Sequence, residues 1–126
     1  MSYNNLDLTP TQVAQELLAL GLALAQCVAD LDELEADVAR SDEAYTMADA
    51  AAIIKANDDL DLKTADLRKA WAAKQTHAER LARDLARAKV KARKAKIDVL
   101  KTRVTIGQSV ATALRSELDL EGLRRR

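Results

Sequence analysis

The residues of this chain whose types suggest binding chemistry are the basic side chains between Arg80 and Arg103. This stretch carries ten lysines and arginines against two aspartates, a net charge of +8. Each cation can neutralise one phosphate of a nucleic-acid backbone and release a counterion. No aromatic residue lies within the stretch, so bases would find no stacking platform there. The pattern predicts binding that is phosphate-dominated, salt-sensitive and nearly independent of base sequence.

We expect seven of these cations to form a nucleic-acid-binding surface. They are Arg83, Arg87, Lys89, Lys91, Arg93, Lys94 and Lys96. Because a helix turns about 100° per residue, the seven cannot all face one duplex. They could instead line a ridge on which a flexible single strand wraps.

The distribution of charge along the chain offers an alternative role for the same cations. The formal net charge is zero, yet residues 1–62 hold 13 acidic and 2 basic side chains, a net of −11. Residues 63–126 hold 7 acidic and 18 basic side chains, a net of +11. The basic half could bind an anionic partner, or the two halves could neutralise each other within a bundle or between subunits. A membrane surface is the least favoured partner, because the apolar face within 86–95 is mostly alanine.

The other reactive residues lack the partners that catalysis or metal binding requires. His77 is the only histidine and has no serine or cysteine nucleophile near it in the sequence. Cys27 is the only cysteine and is expected to pack as a small apolar residue. Carboxylates cluster within 30–37 and 58–61, but neither cluster has the spacing of a calcium-binding loop. We therefore expect no enzymatic activity, no catalytic residue, no cofactor and no metal site.

The elements that position these residues are predicted to be α-helices throughout, in a single domain over 1–126. Only 2% of residues are aromatic, and the chain has one proline and three glycines, which disfavours a β-rich fold with its many turns. Thr9, Pro10 and Gln12 have the types of an N-cap, a first helical residue and a capping-box partner. Turn-forming residues at Ser41 and within 57–59 indicate breaks, and the alternative at Ser41 is one bent helix that continues through it. The predicted helices cover about 10–40, 42–56 and 60–118.

Apolar residues at alternating spacings of three and four predict the packed faces. The first helix has such a seam at Val13, Leu17, Leu20, Leu24, Cys27, Leu31, Leu34 and Val38. The third helix has one stripe at Leu60, Leu67, Trp71, Ala78, Leu81, Leu85, Ala88, Ala92 and Val99. Its second stripe comprises Ile97, Leu100, Val104, Gly107, Ala111, Leu114 and Leu118.

These stripes exceed what the first two helices could cover if they folded back on the third. An uncovered apolar stripe of this length is an interaction surface. We therefore predict an all-α, long antiparallel helical hairpin or bundle with coiled-coil-like packing that forms a homo-oligomer. The expected oligomer interface consists of Ile97, Leu100, Val104, Ala111, Leu114 and Leu118.

The layout over most of the chain resembles a family of small helical phage proteins, the UvsY-like recombination mediators. The stretches that carry the resemblance are AYTMADAAAII at 44–54, KTADLR at 63–68, LKTRVTIGQS at 100–109 and LRSE at 114–117. The resemblance implies a homo-oligomer that binds single-stranded DNA and helps to load a RecA-type recombinase, with that recombinase or a single-stranded-DNA-binding protein as a further partner. The family's second helix usually carries basic residues, whereas this chain has Asp49 and Ala51 there, with Lys55 alone nearby. The DNA surface is therefore expected within 80–103.

Three functions remain in competition. The first is a sequence-nonspecific single-stranded-DNA-binding oligomer that acts as a recombination mediator. The second is a structural or chaperone-like coiled-coil protein, such as a phage assembly scaffold, without nucleic-acid binding. The third is a small inhibitor or adaptor that engages a host protein through the acidic half.

The sequence also bears on location. The N-terminal segment lacks the layout of a signal peptide, and no apolar run reaches about 18 residues. We therefore expect no membrane partner and a cytoplasmic location, which is the host cytoplasm if the chain is phage-encoded.

Overall fold

The computed structural model describes residues 9–58 and 61–124, which are almost entirely α-helical. Helix α1 spans Pro10–Asp58, α2 spans Ala65–Gln75 and α3 spans His77–Arg124. No β-strand occurs within the described residues. The prediction of an all-α fold is confirmed.

The helices start where side chains satisfy the first free backbone N–H groups. At the start of α1, the Thr9 hydroxyl accepts a bond of 3.2 Å from the Gln12 backbone N–H, and Gln12 Oε1 accepts one of 2.9 Å from the Thr9 N–H. This reciprocal pair confirms the predicted capping box. At the start of α2, the Thr64 hydroxyl accepts a bond of 3.1 Å from the Leu67 N–H.

Of the two alternatives at Ser41, the break is wrong and the continuous helix is confirmed, because α1 continues through this residue to Asp58. Ser41 and Asp42 have the types of a cap, but both are half-buried, and Asp42 pairs with Arg87 of α3. Tertiary packing therefore overrides the local preference for a cap, which amounts to only about 1 kcal/mol. The break that was expected within 57–59 does coincide with the end of α1 at Asp58.

The single predicted third helix is also wrong, since it is divided at Thr76. The Thr76 backbone N–H and hydroxyl both donate to the Ala72 carbonyl, at 3.0 and 2.8 Å. The Thr76 carbonyl in turn accepts a bond of 3.0 Å from the Arg80 N–H. The interruption is thus one residue long, and that residue is almost fully buried. No glycine, proline or asparagine lies beside Thr76 to indicate a break in the sequence. The predicted start at Leu60 lies outside the described residues, but residues 61–64 are not helical, and the helix begins at Ala65 instead.

The chain divides into two units, the first formed by the segments up to residue 29 and from residue 94, and the second by residues 30–93. Within the first unit, Val13 and Cys27 of α1 and Ile97 and Leu100 of α3 are buried. All eight residues of the predicted α1 seam are buried or half-buried, which confirms that this face is covered.

In the second unit the buried apolar residues are alanines rather than large side chains. They are Ala52, Ala56, Ala72 and Ala86. The first predicted stripe of the third helix is wrong, because Leu67, Leu81 and Leu85 are all more than half exposed. Small residues at a contact reduce the distance between helix axes. The covered face is therefore the one that lets the helices approach most closely, and not the one that carries the most leucine.

Candidate nucleic-acid interface

The three arginines among the seven predicted binding residues all contact other side chains of the second unit. Arg83 donates to the Asp84 carboxylate through Nε and Nη2, each at 3.2 Å. Its guanidinium also lies 4.3 Å from the centre of the Tyr45 ring, within the range of a cation–π contact. Arg83 is therefore held between a neighbour on its own helix and an aromatic ring on α1.

Arg87 and Arg93 pair with the acidic part of α1. Arg87 Nη2 lies 2.9 Å from Asp42 Oδ1, and Arg93 Nη1 lies 3.4 Å from Asp30 Oδ2. Both pairs are partly exposed, so each stabilises the fold by at most about 1 kcal/mol. The pairs nevertheless show that part of the basic segment is neutralised by the acidic half of the same chain.

The lysines of the predicted site behave differently. Lys89, Lys91 and Lys96 are exposed, and none of them forms an ion pair with a carboxylate of the described residues. Lys94 is also exposed but interacts with another residue of the chain. A lysine ammonium is a compact and strongly hydrated charge on a flexible stem, whereas an arginine guanidinium suits fixed, planar contacts. The structure therefore separates the three arginines and Lys94, which interact within the chain, from Lys89, Lys91 and Lys96, which have no carboxylate partner among the described residues.

Neither aromatic side chain of the described residues is fully exposed, and neither lies on α3. Tyr45 is half-buried under Arg83, and Trp71 of α2 is half-buried as well. The contact of Tyr45 with Arg83 was not predicted, because no local spacing relates residues on two different helices. A nucleic acid on α3 would consequently meet charges and not stacking rings.

The residues predicted to form the oligomer interface lie on the face of α3 that is covered within one chain. Ile97 and Leu100 are each only 6% exposed, while Val104, Ala111 and Leu114 are half-buried. Only Leu118, at 52%, is mainly exposed. The sequence does not show that α1 covers this stripe. In the structure, Pro10, Ala14 and Leu17 of α1 line one groove together with Ala111 and Leu118.

His77 and the carboxylates were the other groups considered for catalysis or metal binding. His77 is exposed, and its Nδ1 lies 3.2 Å from Arg80 Nη2. Within residues 9–58 and 61–124, no three histidine, cysteine or carboxylate side chains are grouped as metal ligands would be. No helix in this part of the chain combines the length and the apolar character that crossing a bilayer demands.

No family model, curated protein or solved structure matches this chain. Its class therefore rests on the fold and the site alone. The described residues define an all-α protein that exposes lysines along α3 and uses the neighbouring arginines for contacts within the chain.

Proposed function

We propose that this chain binds single-stranded DNA without sequence preference, assembles with copies of itself, and acts as a phage recombination mediator that helps to load a RecA-type recombinase. One observation carries the DNA-binding part of the proposal. Lys89, Lys91 and Lys96 are exposed on α3 and have no carboxylate partner in the described part of the chain. Their charges are therefore available to a phosphate backbone.

The physical character of this binding follows from the side chains. Lysines attract phosphates by charge and counterion release, which gives affinity but little sequence information. A flexible single strand can follow charges that emerge in several directions from a helix, whereas a rigid duplex cannot. Affinity should thus fall steeply with salt and vary little with base composition.

The recombinase-loading part of the proposal is supported by the resemblance of four stretches to UvsY-like mediators. Its test is a strand-exchange reaction on single-stranded DNA that is already coated with a single-stranded-DNA-binding protein. A mediator should shorten the lag before the recombinase acts. No change in the lag at saturating protein would limit the proposal to DNA binding.

A structural role without nucleic-acid binding is the second candidate, and the ion pairs favour it. Arg87 with Asp42 and Arg93 with Asp30 are long-range pairs that use the basic segment to hold two helices together. The order of these pairs along the chain also supports antiparallel packing of α1 on α3 in the second unit, since residue 30 meets 93 and residue 42 meets 87. The exposed lysines would then meet acidic residues of other copies.

Binding of labelled oligo-dT across a salt series separates the two candidates. The test variant changes Lys89, Lys91 and Lys96 together to Glu. The matched control changes Lys55, Lys63 and Lys69 to Glu, which are also exposed and give the same change in net charge. We expect the test variant to bind far more weakly than the control and to flatten the log–log salt slope by roughly two, since each lost contact to a single strand contributes about 0.7.

The outcomes of this comparison differ clearly. Lost binding with unchanged melting temperature and oligomer size supports the lysines as the DNA surface. If the wild-type chain fails to bind oligo-dT at low salt, and the test variant changes the oligomer instead, the structural candidate is correct. Equal loss in the test and control variants would mean that net charge matters and not the lysines of α3.

A further inference from the structure

The outward face of α3 in the first unit carries a second apolar seam that the sequence analysis did not identify. Spacings of three and four residues connect Val99, Thr102, Ile106, Ser109, Ala113, Ser116, Leu120 and Leu123. Such a repeat is the pattern of positions a and d in a coiled coil, with the first member at a. The seam extends over more than three heptads.

The seam is not covered within the chain. Val99, Ile106, Leu120 and Leu123 are exposed by 51%, 47%, 55% and 65%. Ile106 follows the buried Ile97 by nine residues, which places it about 180° around the helix. The covered stripe and the exposed seam are thus on opposite faces of α3. A surface helix with apolar residues on two opposite faces requires a second partner.

Two of the three hydroxyl groups in the seam already have hydrogen-bond partners in the helix itself. Thr102 Oγ1 donates to the Asp98 carbonyl at 3.0 Å, and Ser109 Oγ donates to the Thr105 carbonyl at 3.1 Å. A buried polar side chain usually costs free energy because its donor is left unsatisfied. The hydroxyls of Thr102 and Ser109 avoid this cost when another helix covers them. Their small size also lets another helix approach closely.

The charges beside the seam identify the partner as a second copy of the same helix, parallel and in register. In a parallel coiled coil, position g of one helix faces position e of the other, five residues further along. This rule brings Asp98 beside Arg103 of the second copy, and Asp119 beside Arg124. All four side chains are exposed and form no ion pair with a described residue of their own chain.

An antiparallel pairing centred on the seam does not have this complementarity. It would place Asp98 against Asp119, which repel each other, and Arg103 against Glu117, which attract each other, so its charge contacts cancel. Flanking charges contribute little stability, but they choose the orientation and the partner.

We propose that the Val99–Leu123 face of α3 is the self-assembly interface of this protein, and that it pairs with the same face of another copy in parallel and in register. The inference deepens the self-assembly part of the proposed function and does not depend on nucleic-acid binding. It replaces the Ile97–Leu118 stripe as the expected interface, because that stripe is largely covered within one chain.

Disulfide crosslinking of the full chain tests the orientation. Single cysteines replace Thr102, Ser109 or Leu123 in a Cys27→Ser background, and each variant is oxidised mildly and examined on a non-reducing gel. In a parallel, in-register pair, each d position lies next to its own equivalent, so all three variants should give a covalent dimer. Gln108→Cys is the matched control, since this exposed residue precedes Ser109 but lies outside the seam, and it should crosslink poorly.

The other outcomes overturn the proposal. Crosslinking of the Ser109 variant alone indicates an antiparallel pair that crosses near the middle of the seam. Equal crosslinking of the Gln108 control indicates random collision. Absence of crosslinking in all variants means that another surface or another protein covers this face.

Light scattering provides a second readout that does not involve cysteines. Ile106→Asp should reduce the molar mass in solution to that of the monomer, while the helical circular dichroism stays unchanged because this side chain is exposed in a single chain. Gln108→Asp should leave the oligomer intact. An Ile106→Asp variant that keeps the wild-type molar mass would contradict the proposal. Loss of oligo-dT binding has no bearing on either readout, so failure of the DNA-binding function is separately detected.

Discussion

At the scale of single residues, the cations of the predicted DNA surface form two groups, those that interact within the chain and those that extend into solvent. Arg83, Arg87 and Arg93 lie against acceptors or a ring, whereas Lys89 and Lys91 extend into solvent. A guanidinium offers a planar array of donors that suits a fixed partner, and an ammonium keeps its hydration and moves freely. One short stretch therefore contains both cations that hold contacts within the chain and cations that face solvent.

The pair of Arg87 and Asp42 should stabilise the chain only slightly. The two side chains are 53% and 40% exposed, and water screens their attraction. We expect a double-mutant cycle with Arg87→Ala and Asp42→Ala, measured by urea unfolding, to give a coupling energy below about 1 kcal/mol. A coupling of several kcal/mol would show that the pair is more strongly desolvated than its exposure indicates.

Alanine positions in the second unit should not accept larger residues. Ala72 is 1% exposed, so Ala72→Leu must displace neighbouring atoms and should destabilise the fold by about 1–3 kcal/mol in chemical denaturation. Ala70 lies on the same helix but is exposed, and Ala70→Leu should change the stability little. Equal effects of the two substitutions would mean that Ala72 is not a packing contact.

At the scale of elements, α1 contains a glycine that packing does not require. Gly21 lies in the interior of the helix, and a Cβ built there has no heavy atom within 4 Å apart from its chain neighbours and the nearby backbone of the same helix. Gly21→Ala should therefore stabilise the chain by about 0.5–1 kcal/mol through the entropy of the unfolded state and the helix propensity of alanine. A fall in the melting temperature would indicate that another molecule approaches the helix at this point.

The start of α2 depends on one side chain. Thr64 accepts a hydrogen bond from the Leu67 N–H, and Thr64→Ala should cost about 0.5–2 kcal/mol of stability. Thr112 is a suitable control because its hydroxyl donates to the Gln108 carbonyl in the middle of α3, where alanine is an equal or better helix former. In thermal unfolding, Thr64→Ala should therefore lower the melting temperature, whereas Thr112→Ala should leave it unchanged or raise it.

At the scale of the whole molecule, the described chain buries few large side chains. Eight apolar residues of the described chain are buried, and four of these are alanine, while fourteen large apolar residues remain exposed. A core of this kind provides little of the apolar burial that stabilises small domains. The stability of the chain should consequently be linked to assembly.

This linkage predicts a melting temperature that depends on protein concentration. Assembly stabilises the folded state by mass action, so the melting temperature should rise over a hundredfold increase in concentration. Ile106→Asp should abolish this dependence, since the residue belongs to the exposed seam of α3. If the melting temperature of the wild-type chain is constant over the same range, then assembly does not stabilise the folded state.

Local sequence patterns were sufficient to predict the fold class, the covered face of α1 and the capping box that begins it. These features depend on local hydrogen bonds and on a helical repeat of 3.6 residues, and both can be read over a few neighbouring positions. The reciprocal bonds of Thr9 and Gln12, and the burial of Val13 and Cys27, follow directly from that local information.

Which of several apolar faces is covered, and which cations form ion pairs, depends on contacts between the helices and could not be predicted from the sequence. On α3 the sequence contains two seams of similar quality, and only the packing shows that Ile97 is covered while Ile106 is exposed. The same holds for the cations, since Arg87 meets Asp42 across 45 residues of sequence and Lys91 meets no described carboxylate. A repeat reveals which residues share a face, but the partner of that face depends on contacts between distant segments, which no local pattern encodes.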